Sequence, residues 1–131
     1  MISTKGRYAL RVMIDLASRQ TDSYVPLKDI AERQQISKKY LEIIVKELVN
    51  AGLVTGASGK GGGYVLAKKP EEYSVGEILD VTESSLSVVA CLAKDAPECP
   101  RASTCKTLPM WTEYEKMVHD FFYSKKLSDL L

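Results

Sequence analysis

The chain has 131 residues, 45% of them hydrophobic and 27% charged, enough for one domain with an appended element and a core that needs no staples. No apolar run approaches the roughly 20 residues that cross a bilayer, and residues 1–7 lack the apolar stretch of a secretory signal, so a cytoplasmic protein is expected. The net charge of +1 excludes a strongly basic or acidic chain but conceals a division: residues 1–70 carry 12 Lys/Arg and 6 Asp/Glu, residues 71–131 carry 6 and 11.

A basic half suggests contact with a polyanion. Solvated charge placed without function produces the same split.

Along the chain, Ser3 or Thr4 is positioned to cap a first helix. Tyr8, Ala9, Val12, Met13, Ile14 and Leu16 give it a broad apolar face at helical spacing. Thr21, Asp22 and Ser23 end it. Residues 27–33 read as a short second helix with Leu27, Ile30 and Ala31 inward, and Gln34, Gln35 and Ile36 as a tight connection. Ser37 stands where an N-cap belongs. Tyr40, Leu41, Ile44, Val45 and Leu48 then continue at i, i+3, i+4 spacing to residue 50, and Gly52 takes the position after the helix end.

The period changes next. Residues 53–55 and 64–67 read as two strands of a hairpin, joined by a tract holding Gly59, Gly61, Gly62 and Gly63 with Lys60 at its tip. Ser74 caps a further helix through Val75, Ile78, Leu79 and Val81. Residues 84–106 show no sustained period. Helical spacing returns over 107–123, with Pro109 tolerated in the first turn, and 125–131 is a short amphipathic tail. The predicted fold is mainly α with a small β-hairpin wing. It divides into a winged helix–turn–helix over 1–83, a cysteine loop over 84–106, and a long C-terminal dimerisation helix with its tail over 107–131.

The order helix, helix, turn, helix, hairpin suits double-stranded DNA. The helix over 38–50 buries one face and offers Lys38, Lys39, Glu42 and Ile43 on the other, in the turns that reach base edges in a major groove. Lysines there contact phosphate or guanine, Glu42 accepts from a cytosine amine, and Ile43 touches a thymine methyl. Ser37, Tyr40, Lys5 and Lys28 flank this face. The glycine tract lets the wing backbone approach a phosphate or a minor-groove wall at Lys60 and Gly61. An amphipathic core helix in a protein-interaction domain is the alternative.

Ser3 through Leu10, in the order Ser-Thr-Lys-Gly-Arg-Tyr-Ala-Leu, resembles the N-terminus of a bacterial family of winged helix–turn–helix regulators. So do Ile30-Ala31-Glu32-Arg33-Gln34, Ile36-Ser37, Tyr40-Leu41-Glu42, Ala51-Gly52-Leu53-Val54 and Gly61-Gly62-Gly63-Tyr64. The family is the Rrf2 type, which includes IscR, NsrR and CymR; the resemblance is nearest the cluster-binding IscR-like branch and covers essentially the whole chain. It implies a homodimeric, sequence-specific transcription regulator, repressor or activator, on a roughly palindromic operator. Where relatives of IscR carry a wing arginine, this chain has Ser58, which leaves Lys60 as the cation at the tip.

Cys91, Cys99 and Cys105 are the only cysteines. An odd number in a reducing compartment argues against a disulfide framework. Three thiolates in an irregular prolyl loop suit zinc or an iron–sulfur cluster, but structural zinc normally closes with a fourth Cys or His. His119 lies roughly 20 Å along a helix from the third cysteine and is a poor candidate. The resemblance implies an iron–sulfur cluster, of the 2Fe-2S type, held by the three cysteines. It also places Leu108 where IscR-like members keep a histidine ligand, and Arg7 where NsrR-like members keep an aspartate. Asp95, Glu98, a carboxylate of a partner chain or solvent remain for the fourth position. Bare or redox-active thiols are the alternative.

Trp111, Tyr114, Val118, Phe121 and Phe122 form a stripe wider than a small winged-helix domain buries alone. A second chain would cover it; packing on the chain's own first helix is the other possibility. No nucleophile–base pair is evident. The glycine tract runs from strand to strand, as a wing does and a phosphate-binding loop does not, so an enzyme is not expected. Control by a partner protein or by thiol redox chemistry on the same fold, and a scaffold that binds no DNA, are the competing readings.

Overall fold

The computed structural model describes residues 1–19 and 23–131. Helix α1 spans Thr4–Arg19, α2 Leu27–Gln34 and α3 Lys38–Asn50. Strands β1 (Val54–Ala57) and β2 (Gly63–Leu66) form an antiparallel pair, and α4 (Val75–Thr82) and α5 (Leu108–Ser124) follow. This is a mainly α fold with a small wing, as expected. The expected end of the first helix at Thr21 and Asp22 lies outside the described residues.

Local chemistry sets the element ends. Ser3 accepts the Gly6 amide at 3.0 Å and caps α1, while Ser37 accepts the Tyr40 amide at 3.1 Å and caps α3. Gln35 takes a left-handed conformation (φ 53°) to stop α2, and Gly52 does the same after α3 (φ 77°). Ser74 and Glu77 form a reciprocal capping box on α4.

The helical periods read from the sequence set their apolar faces in or against one core, with Tyr8, Ile14, Leu27, Ala31, Tyr40 and Val81 partly buried at its edge. Val12, Met13, Ile30, Leu41, Ile44, Val45, Leu48 and Ile78 are all fully buried in one core, each burial worth about 2 kcal/mol. Helix α1 runs through the middle of this core and touches α2, α3, α4 and β2.

Both wing strands lie nearer the glycine tract than the expected 53–55 and 64–67. Val54 pairs with Leu66 and Ala57 with Gly63. Its base is pinned to the body by a bridge between Val25 and Tyr64, with both amide-to-carbonyl bonds at 2.8 Å. Gly63 is required there: its φ is 146°, and a Cβ would strike the Val25 carbonyl.

The C-terminal residues are not a loose tail. Leu127 is fully buried, its amide donates to the Tyr73 carbonyl at 3.0 Å, and the Val75 amide donates to the Lys125 carbonyl at 2.8 Å. Among the described residues, no helix is long and apolar enough to cross a membrane.

Candidate nucleic-acid interface and cysteine loop

The face of α3 turned from the core presents Lys38, Lys39, Glu42, Ile43, Lys46 and Asn50 to solvent. Ile43 is 48% exposed, an outward β-branched side chain with no role in the core. Lys60 and Gly61 are exposed at the tip of the wing, as is Ser58. A groove lined by Lys46, Asn50, Ser58 and Tyr64 connects the later turns of α3 to the wing. Lys46 and Asn50 were outside the expected set, although i+3 and i+4 steps from Ile43 and Lys46 lead to them.

Three of the expected residues have work within the fold. The Ser37 hydroxyl is the helix cap. The Tyr40 ring is half-buried, edge-on to Tyr8 with centroids 5.8 Å apart. Lys5 pairs with Glu47 at 2.9 Å, which ties the start of α1 to α3. Lys28 is exposed on α2.

A second joint ties α1 to α2. The buried Asp15 of α1 accepts from Arg33 Nε and Nη2 and from Gln34 Nε2 at 2.9 Å. The backbone carbonyl of Gln34 accepts from Arg11. Asp15 did not stand out in the sequence, where a carboxylate between apolar neighbours gives no sign of its partner; Arg33 and Gln34 belong to the run 30–34 that carries the resemblance.

Tyr73 was also missed. Its ring is 1% exposed, and its hydroxyl donates to the Leu53 carbonyl at 2.7 Å while accepting the Ala67 and Lys68 amides at 3.0 and 3.1 Å. One phenol thus joins both strand ends at the base of the wing. Burial raises its pKa despite the two amide donors.

The cysteine loop carries one short 3-10 turn, Ala90–Leu92. Cys91 is exposed; Cys99 and Cys105 are intermediate in exposure, and all three are free thiols. The donor chemistry suits a cluster, but the arrangement does not: among the described residues, no three His, Cys, Asp or Glu side chains gather closely enough to hold a metal. Cys105 lies just before α5, where hydrogen bonds from the Thr107 hydroxyl and the Thr107 amide lower its thiol pKa. Leu108 opens α5, and the guanidinium of the exposed Arg7 donates to Thr4 Oγ1 at 3.2 Å. His119 stacks on Tyr123 with centroids 4.4 Å apart.

Helix α5 has no fully buried residue. Trp111, Val118 and Phe122 are half-buried. Met110, Tyr114, Met117 and Phe121 are 49–64% exposed, at spacings of four, three and four along an adjoining face. The expected stripe therefore divides: Tyr114 and Phe121 face outward with the two methionines, and the other three face inward.

A profile described as "Rrf2: Iron-dependent Transcriptional regulator" matches residues 2–131. The chain belongs to the Rrf2 family. It is 36% identical over 130 residues to the HTH-type transcriptional regulator IscR of Aliivibrio salmonicida, covering 99% of this chain and 76% of that one. The structure of CymR, the global cysteine regulator of B. subtilis, superposes with a TM-score of 0.79 at 38% identity, covering 99% of this chain and 95% of that one. The T. potens IscR structure gives 0.76 at 35% identity, covering 99% and 85%. This Rrf2 chain is thus a DNA-binding transcription regulator of the IscR and CymR kind, and its relatives are regulators and not enzymes.

Proposed function

We propose that the chain is a homodimeric, cytoplasmic regulator that reads an operator through the outward face of α3 and receives its signal at the cysteine loop. The observation that carries this reading is the exposed set Lys38, Lys39, Glu42 and Ile43, held on a capped helix beside a wing whose tip carries Lys60. Lysines supply phosphate contact, and Glu42 and Ile43 supply base discrimination. A dimer related by a two-fold axis places two such helices on half-sites about one helical turn apart.

Cys91, Cys99 and Cys105 are the residues that would hold an iron–sulfur cluster, of the 2Fe-2S type. The support is the thiolate donor set and the likeness to IscR. The loop has to close from its arrangement here to do so, and when bound the cluster supplies redox and nitric-oxide reactivity. The second reading is control through the bare thiols. It is favoured by the ungathered cysteines and by the exposure of Cys91.

The test is an anaerobic operator selection on the native protein and on Cys91→Ala, with iron and sulfide assayed in both. Selected sites bound with strong salt dependence, and weaker or altered binding by the variant, support a regulator switched at this loop. Equal sites and affinities remove the loop from the switch. An anaerobic sample free of iron and sulfide overturns the cluster and leaves the thiol reading.

A further inference from the structure

A cleft of about 560 Å³ opens between α4, residues 84–94 and the inner face of α5. It is separate from the recognition face. At about 100° per residue, its α5 residues Glu115 and His119 lie well round the helix from Met110 and Met117, while its wall residue Val118 borders the stripe at Tyr114.

Leu86, Leu92 and Val118 supply its apolar wall. Its carboxylates differ in their circumstances. Asp80 accepts from the Tyr123 hydroxyl, and Glu83 accepts from the amide and hydroxyl of Ser3. Glu115 has no donor among the described residues. Its Oε1 is sealed from solvent without a hydrogen-bond partner among the described residues. A carboxylate oxygen taken from water without a replacement donor is an unmet demand for N–H groups. Lys116 does not meet it, because its ammonium is paired with Asp120. On the loop side of the cleft, Lys94 is exposed and has no ion pair among the described residues. The site thus offers an apolar wall, an anion lacking donors and a free cation.

We propose that this cleft binds a small aliphatic ammonium compound. The ammonium donates to the Glu115 carboxylate where it borders the cleft, and the aliphatic body lies on Leu86, Leu92 and Val118. An amino acid meets Lys94 with its carboxylate in addition; a simple amine uses Glu115 alone. Occupancy tethers residues 84–94 to α5. That segment contains Cys91, so the ligand acts on the freedom of the cysteine loop from its N-terminal side.

The test is calorimetric titration of the full chain without DNA, so its failure is distinct from any failure of the operator reading. The probes are isoamylamine, L-leucine and isovalerate, which share an aliphatic body and differ in charge. Isoamylamine and leucine bind once per chain and isovalerate does not. Tighter binding of leucine identifies the amino-acid form. Glu115→Gln weakens both ammonium probes at least about tenfold, the scale of one charge-assisted hydrogen bond, and leaves the ligand-free melting midpoint unchanged or higher. The proposal is overturned by binding of isovalerate as tight as that of the amine, by equal binding to Glu115→Gln, by a variant that melts lower, or by no binding of either ammonium probe.

Discussion

Arg33 holds Asp15 through Nε at 3.1 Å and Nη2 at 2.8 Å, across the joint between α2 and α1. The Asp15 side chain is 2% exposed and that of Arg33 31%. Helix α3 follows α2 after three residues, so this joint sets where α3 stands relative to the core.

Burial raises the pKa of Asp15, but the hydrogen bonds from Arg33 and Gln34 and the charge of Arg33 outweigh it, and the carboxyl lies below its ordinary value. A carboxyl with a lowered folded pKa contributes stability above its unfolded pKa, about 3.9. That contribution is lost as pH falls through the folded value. Asp15→Asn is expected to lose about 2 kcal/mol at neutral pH, because it removes the charge that strengthens the hydrogen bonds from Arg33 and Gln34. Its stability is also expected to fall less steeply than the native protein's below about pH 4. Urea unfolding across that range measures both effects; parallel curves would remove Asp15 from the acid response.

Tyr73→Phe keeps the buried ring and deletes the hydroxyl. The Leu53 carbonyl and the Ala67 and Lys68 amides then lose a shared partner, at an expected cost of about 2 kcal/mol. Hydrogen exchange at Ala67 and Lys68 is expected to accelerate more than exchange within α1. Uniform acceleration would mean that the phenol supports the whole core and not the base of the wing.

On α5 the exposed stripe identifies the side chains to change. Met117→Asp and Phe121→Asp place a charge on the outward face without touching the inward one. If α5 is the dimer contact, each raises the dimer dissociation constant at least about 100-fold, the equivalent of about 2.7 kcal/mol. The helical content stays unchanged. Sedimentation velocity over a concentration series reads this. Phe122→Asp acts on the inward face and is expected to lower the melting midpoint instead.

Periodicity made much of this fold legible. Leu41, Ile44, Val45 and Leu48 announce a buried helix face because their spacing is local, and Ser37 and Ser74 announce caps for the same reason. What stayed hidden depends on distant chain segments. Tyr73 joins residues 53, 67 and 68, and no spacing encodes that meeting. Leu127 docks beside Tyr73 through a strand-like bridge between Ser74 and Lys126, which made an apparent tail part of the core. For α5 the apolar width was evident, but only the position of α4 decides that Val118 turns inward and Met117 outward. In the loop, three cysteines close in sequence still stand apart in space, since thiols on an irregular backbone converge only when something holds them.

The proposed interface on α3 separates affinity from specificity. Lys38 and Lys39 lie in the first turn, where a helix meets phosphates, and neither forms an ion pair among the described residues. Lys38→Ala or Lys39→Ala is expected to weaken binding to all duplexes alike and to reduce the log–log salt slope by about 1. Glu42→Ala and Ile43→Ala carry no cation away, so the slope holds while discrimination at one base pair falls by about 1–3 kcal/mol. Fluorescence anisotropy on the selected operator and on single-base variants, across a salt series, distinguishes the two classes. A lysine variant that changes base preference without changing the salt slope would place that lysine on a base edge and move the phosphate contacts to Lys46 and the wing.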